Sequence, residues 1–196
     1  MRTPTDDELD WESIVTHLID RRSWLDGVVV TGGEPTEDPD LPSLLAALHD
    51  AGVQVKLDTN GLRPDVLRHV IAEQLVDHVA LDVKAAPSRY GTVCARRGAA
   101  ALVAESVEIV IRSSVDHEFR TTAYPGCVEL DELPRIARAL RGGRLYVIQQ
   151  FLPGGTLHPE ASVVRPYPEQ ELRSAAAECS THLPTIVRDA RIAAAV

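Results

Sequence analysis

Gly27-Val28-Val29-Val30-Thr31-Gly32-Gly33-Glu34-Pro35 is a β-branched run stopped by two glycines and a proline. A short valine run bounded by turn formers reads as a buried strand, here Gly27 to Thr31. Working outward, Val53 to Asp58 starts 25 residues after Val28, and His78 to Lys84 starts 25 after Val53. Helical patterns fill the gaps. Leu41, Leu44, Leu45 and Leu48 share one face, and Pro64 opens a helix whose Val66, Leu67, Val70 and Ile71 point inward. Further on, a helix through Leu102, Val103, Val107 and Val110 precedes a strand from Asp116 to Thr122. A helix with Leu130, Leu133, Ile136 and Leu140 precedes a strand from Arg144 to Phe151. A last helix spans Glu169 to Cys179, and the tail from Thr185 to Val196 offers a short terminal strand. Thr5-Asp6-Asp7-Glu8 has the form of a capping box before an opening helix with Leu9, Trp11, Ile14, Val15, Leu18 and Ile19. Pro87 to Gly98 and Pro153 to Pro168 read as loops. Successive βα units imply an α/β protein with a parallel sheet, either doubly wound or a whole or partial barrel.

Bulk composition agrees. The 196 residues make one domain (1–196, core about 7–160, then a C-terminal helix and tail), with 44% hydrophobic and 25% charged residues. A net charge of −9 argues against binding to nucleic-acid backbones. No apolar run approaches the roughly 20 residues of a membrane span. The acidic start is unlike a signal peptide. Three widely separated cysteines, Cys94, Cys127 and Cys179, suit a reducing, cytoplasmic setting.

Ligands of parallel βα folds bind at the carboxyl ends of the strands. There stand Gly32-Gly33-Glu34-Pro35, Asp58-Thr59-Asn60-Gly61, Asp82 with Lys84, Arg120-Thr121-Thr122, and Gln149-Gln150. Strand parity puts Lys56 with Asp58, Asp82 with Lys84, and Glu118 with Arg120 on shared faces. Three acids and three bases on otherwise apolar strands imply a charge-balanced network facing a polar cavity, either internally salt-bridged or open to a small zwitterion. His78 reads as a strand-start surface residue, and no histidine pair has metal-ligand spacing.

These blocks, Val28 to Thr36, Lys56-Leu57-Asp58-Thr59-Asn60-Gly61, Leu81-Asp82-Val83-Lys84, Asp116 to Thr122, and Tyr146 to Phe151 with Pro153-Gly154, resemble the radical S-adenosylmethionine superfamily. Within it they are most similar to glycyl-radical-enzyme activases, in particular those of anaerobic ribonucleoside-triphosphate reductases. The resemblance implies a partial βα barrel whose first strand and cluster loop are missing. It implies S-adenosylmethionine and a [4Fe-4S] cluster as cofactors, a glycyl-radical enzyme as partner, and an electron donor such as flavodoxin or ferredoxin. By resemblance, Gly32, Gly33, Glu34 and Pro35 bind the methionine amino group and Lys84 its carboxylate. Asp58 and Asp82 match acids that help hold a monovalent cation, Thr59 and Asn60 shape the pocket, and Arg120 serves the cofactor carboxylate or neutralises Glu118.

The family's C-x3-C-x2-C cluster motif is absent, and the three cysteines read as ordinary thiols. Three readings stay open: an activase whose true start lies upstream, a truncated or degenerate relative that binds cofactor or partner without radical chemistry, and a Schiff-base lyase with Lys84 as amine and Asp82 as proton shuttle. With the first strand missing, Val28-Val29-Val30 is expected at the sheet edge, with one row of backbone groups unpaired and a tendency to associate.

Overall fold

The fold is a computed structural model describing residues 11–153 and 159–188. The Thr5–Glu8 capping box, Leu9, Gly154 and the tail beyond Arg188 lie outside the described residues. Six strands, β1 (Val28–Val30), β2 (Val55–Thr59), β3 (His78–Asp82), β4 (Asp116–Ala123), β5 (Tyr146–Gln150) and β6 (Thr185–Arg188), form one sheet in chain order. Every pairing is parallel. The helices are α1 (Trp11–Arg21), α2 (Leu41–Asp50), α3 (Pro64–Ala72), α4 (Tyr90–Val93), α5 (Ala99–Arg112), α6 (Leu133–Ala139) and α7 (Glu169–Cys179). Proline in the first turn of α2, α3 and α6 fixes those starts, where its missing N–H costs no helical hydrogen bond.

Strand order decides between the two parallel architectures. A doubly wound sheet reverses direction at a switch point, and this order never reverses. Right-handed crossovers between successive neighbours then lay every connecting helix on one face. Strand residues of one parity, Leu57, Val79, Leu81, Phe119, Tyr146 and Ile148, enter the core with Leu45, Leu48, Leu67, Val103, Leu133 and Leu172 from the helices. The other parity carries Lys56, Asp58, Asp82, Glu118 and Arg120 on the opposite, concave face. The result is a partial βα barrel.

Most strand ends shift by one or two residues from the sequence expectation, and three differences have local causes. β3 stops at Asp82 rather than Lys84, because the Lys84 N–H leaves the ladder to donate to Tyr90 Oη at 2.9 Å. The Pro87–Gly98 loop holds a 3₁₀ turn (Pro87–Arg89) and the one-turn α4, pinned by the buried Tyr90 ring. The helix expected from Leu130 begins as a 3₁₀ turn (Leu130–Glu132) and becomes α-helical at Leu133, where Pro134 supplies a helical φ.

Among the described residues β1 pairs only with β2, so Val28–Val30 is an edge strand there, as expected. Val29, which shares its face with Lys56, is 50% exposed, while Val28 and Val30 pack on the core with Val15 and Leu18 of α1. A groove of about 600 Å³ runs along this edge, lined by residues that include Ile14, Leu18, Val29, Leu44 and Leu48. An apolar edge is a template for a second copy. We expect the isolated chain to self-associate in sedimentation experiments and Val29→Lys to shift it towards the 21.3 kDa monomer. A wild-type chain that stays monomeric at high concentration contradicts this.

Candidate functional site

Glu34 leaves β1 in an extended conformation, and its carboxylate turns towards the end of β2. Oε1 accepts from Thr36 N (3.3 Å), Thr36 Oγ1 (2.5 Å) and Thr59 Oγ1 (2.6 Å), and Oε2 from Asn60 N (2.8 Å). Thr36 and Thr59 are buried. The carboxylate therefore clamps the β1 loop to the β2 loop, and only Oε2 keeps a lone pair in reserve. Thr59 Oγ1 also accepts from Gly61 N, and Asn60 Oδ1 accepts from Leu62 N. Glu34, expected to bind the cofactor, and Thr59 and Asn60, expected to shape its pocket, also hold the two loops together.

Before this clamp, Gly32 and Gly33 have φ of +94° and +56°. A Cβ at either would meet no atom within 4 Å. The glycines are thus required by left-handed backbone, not by protein crowding, and the space above them is open. Pro35 starts the 3₁₀ turn that follows.

The charged cluster lies on the concave face. Arg120 of β4 reaches across two strands, with Nε 2.8 Å from Asp82 Oδ1 of β3 and Nη1 2.7 Å from Asp58 Oδ2 of β2. Nη2 lies 2.8 Å from the same Asp82 oxygen. Lys56 Nζ stands 3.1 Å from Asp58 Oδ1 and 3.6 Å from Glu118 Oε1. The first is an ion pair without hydrogen-bond geometry, since Asp58 Oδ1 is buried and accepts no hydrogen bond. Glu118 is gripped by both ends of Arg188 on β6, at 3.1 and 2.8 Å. Six charges, three of each sign, thus span β2, β3, β4 and β6.

Burial pushes the Asp82 carboxyl above the usual aspartate value, although Arg120 pulls the other way. Burial opposes ionisation of Glu118 too, but Arg188, Lys56 and Arg120 together outweigh it and hold its pKa below the ordinary value. Burial works against the Arg120 charge, and Asp82 and Asp58 override it and raise its pKa.

Lys84 follows β3, is exposed, and makes no ion pair among the described residues. His78 is partly buried at the amino end of β3, 3.6 Å from Asp116, at the edge opposite the Gly-rich loop. The sequence reading missed Arg188, whose only signal was the apolar alternation of Thr185-Ile186-Val187-Arg188. It also missed Glu132, a buried carboxylate beneath the Lys84 loop.

The described residues do not suit an iron–sulfur cluster. Cys94 follows α4, Cys127 follows β4, and Cys179 is buried in α7, where burial pushes its thiol up to about 12. Among the described residues no three His, Cys, Asp or Glu side chains are grouped to hold a metal ion.

Removing Arg188 leaves Glu118 buried without its hydrogen-bonded partner, facing Lys56 at 3.6 Å and the field of Arg120. We expect Arg188→Met to cost about 2–3 kcal/mol in urea unfolding, somewhat below the usual range for a broken buried pair because Arg188 is partly solvated. The Arg188→Met/Glu118→Gln double variant should recover most of that loss. The wild-type Glu118 contribution is complete above its unfolded value of 4.5 and disappears as pH falls through the lower folded value. Glu118→Gln should therefore flatten the acid side of the stability curve, and an unchanged acid limb contradicts this assignment.

The chain matches the Radical SAM superfamily over residues 1–146. It is 30% identical over 167 residues to MJ1227 of Methanocaldococcus jannaschii, covering 83% of this chain and 70% of that protein. It is 30% identical over 119 residues to MJ1632 of the same organism, covering 59% of this chain and 46% of the relative. Both relatives are provisionally described as glycyl-radical enzyme activating enzymes. Streptococcus suis SuiB bound to S-adenosylmethionine superposes with a TM-score of 0.69 at 12% identity, over 95% of this chain and 45% of that one. TYW1 with a lysine–pyruvate adduct bound gives a TM-score of 0.60 at 17% identity, over 93% of this chain and 65% of that one. These structures share the fold; the sequence relatives and the superfamily match, which takes in the Gly-rich loop and the acids of β2 and β3, go further: the chain belongs to the radical SAM superfamily.

Proposed function

We propose that this chain is the S-adenosylmethionine-binding part of a glycyl-radical-enzyme activase. Its partner is an anaerobic ribonucleotide reductase or similar enzyme, with flavodoxin or ferredoxin as electron donor. The observation that carries the reading is the pairing of an open Gly32-Gly33 backbone with a charged floor in which the buried Asp58 Oδ1 accepts no hydrogen bond and faces the Lys56 ammonium. S-adenosylmethionine presents an ammonium, a carboxylate and a sulfonium, and the residues at this edge suit those charges. The backbone at Gly32 and Gly33, with the spare lone pair of Glu34 Oε2, takes the ammonium. Lys84 takes the carboxylate as a charge-assisted contact. Lys56 already faces Asp58 Oδ1 and Arg120 fills the space between the two carboxylates, so the outer Asp82 oxygen is the one left for a monovalent cation.

When bound, S-adenosylmethionine supplies the carbon–sulfur bond that this superfamily breaks. The described residues hold no iron–sulfur cluster, so no electron-transfer step is assigned to them. Their part is to bind and orient. The Glu34 clamp holds two loops at fixed separation, and the Arg120 network fixes the floor beneath them, so little ordering is left to do on binding. The alternative of Lys84 as a Schiff-base amine is less well supported. Amine nucleophiles are activated by desolvation or a neighbouring cation, and Lys84 is exposed with an acid nearby. The likeness to adduct-bearing TYW1, at 17% identity, is one of fold.

Calorimetric titration with S-adenosylmethionine tests the proposal. Wild type should bind, and Lys84→Met should weaken binding about tenfold, or ~1.4 kcal/mol, without changing thermal stability. Absence of binding, or binding indifferent to Lys84, contradicts it.

A further inference from the structure

The loop after β3 is tied down at five backbone groups between Val83 and Ala86. Val83 N donates to Arg120 O at 2.8 Å, and Val83 O accepts from Thr121 Oγ1 at 2.6 Å. Lys84 N donates to Tyr90 Oη at 2.9 Å. Ala86 N donates to Glu132 Oε1 at 2.8 Å, and Ala86 O accepts from Arg89 N at 2.8 Å. Arg89 Nη1 closes the loop onto Glu132 Oε2 at 3.0 Å. Tyr90 is 4% exposed and Glu132 2%, while Ala85 and Ala86 are buried. Within this anchored loop the Lys84 side chain is a cation facing solvent that makes no ion pair or hydrogen bond among the described residues.

Two features exceed what holding a surface turn requires. Glu132 comes from the segment after β4, 46 residues beyond Ala86, so a distant element fixes this turn. It does so with a buried carboxylate, costly to desolvate, where a neutral amide would also accept from Ala86 N. A charge there gains from Arg89, which reaches it from the loop's far end and draws both ends onto one anchor. Tyr90 adds a hydroxyl at the one residue whose side chain is left free.

We propose that Tyr90 and Glu132 are positioning residues that set the Lys84 backbone so that its ammonium meets the carboxylate of S-adenosylmethionine; this rests on the binding role proposed above for Lys84. The two act through Lys84 and touch no ligand. The fixed backbone confines where Nζ can reach, and the ligand gains affinity because that confinement precedes binding.

Two measurements test this together. In hydrogen exchange, the Lys84 amide should be protected in wild type and exchange about fivefold to tenfold faster in Tyr90→Phe, as for loss of one hydrogen bond. Glu132→Leu, which removes the acceptor of Ala86 N and releases Arg89, should do the same for the Ala86 amide, with exchange elsewhere unchanged. In titrations with S-adenosylmethionine, Tyr90→Phe should weaken binding severalfold in the wild-type background and add nothing in a Lys84→Met background. Equal weakening in both backgrounds, or none, overturns the positioning role and leaves a structural loop. Unchanged exchange at Lys84 overturns it whatever the titrations show. A wild-type chain that binds no S-adenosylmethionine, yet loses protection in Tyr90→Phe, refutes the binding role of the site and with it the purpose, though not the fact, of the anchoring.

Discussion

The Arg120 guanidinium lies between two carboxylates from two neighbouring strands, and the concave face is arranged around it. A guanidinium offers donors in a rigid fork, so one side chain on β4 fixes the positions of Asp82 on β3 and Asp58 on β2. Asp58 then faces Lys56, Lys56 faces Glu118, and Glu118 is closed by Arg188. Each charge is tolerated because the next one is present. Removing one strands its neighbour in a poorly solvated place, where the loss exceeds that of an exposed pair. An apolar floor would pack more cheaply, but it would offer a charged ligand nothing. The helix face supplies the burial that holds the sheet, and the concave face is left for recognition.

The mouth of the half-barrel applies the same division to its loops. Glu34, Thr59 and Asn60 lock the first two loops to each other, and Glu132 with Tyr90 lock the third. Side chains from the core-facing side hold the backbone, while backbone atoms at Gly32 and Gly33 and the side chain of Lys84 stay open. Positive φ at both glycines is what lets the chain turn at the end of β1 without a Cβ penalty.

Much of this was legible in the sequence. The 25-residue spacing of valine-rich runs gave the βα repeat, and strand parity correctly paired Lys56 with Asp58 and Glu118 with Arg120 on one face. Parity also placed Asp82 with the site, since β3 keeps a regular pleat to that residue. The strand expected to run to Lys84 ends two residues earlier, because a strand's end depends on where its last N–H finds a partner, and Tyr90 lies six residues on, across a turn. The clamp formed by Glu34 was not legible, because the donors it accepts from, on Thr59 and Asn60, come from 25 and 26 residues away. Glu132 carries no local signal, and Arg188 only that of its short strand. Their partners lie 46 and 70 residues distant, and the order of the strands brings them together.

Chemical-shift mapping of the isotope-labelled chain with S-adenosylmethionine tests the central claim most directly, since it asks where the ligand sits without requiring turnover. The account predicts that the largest amide shifts fall at Gly32, Gly33, Asn60 and Lys84, with the Arg120 side-chain signals moving alongside. Shifts gathered instead along the β1 edge, at Ile14, Leu18 and Leu48, would show that the apolar groove rather than the charged floor is the binding surface, and would contradict it.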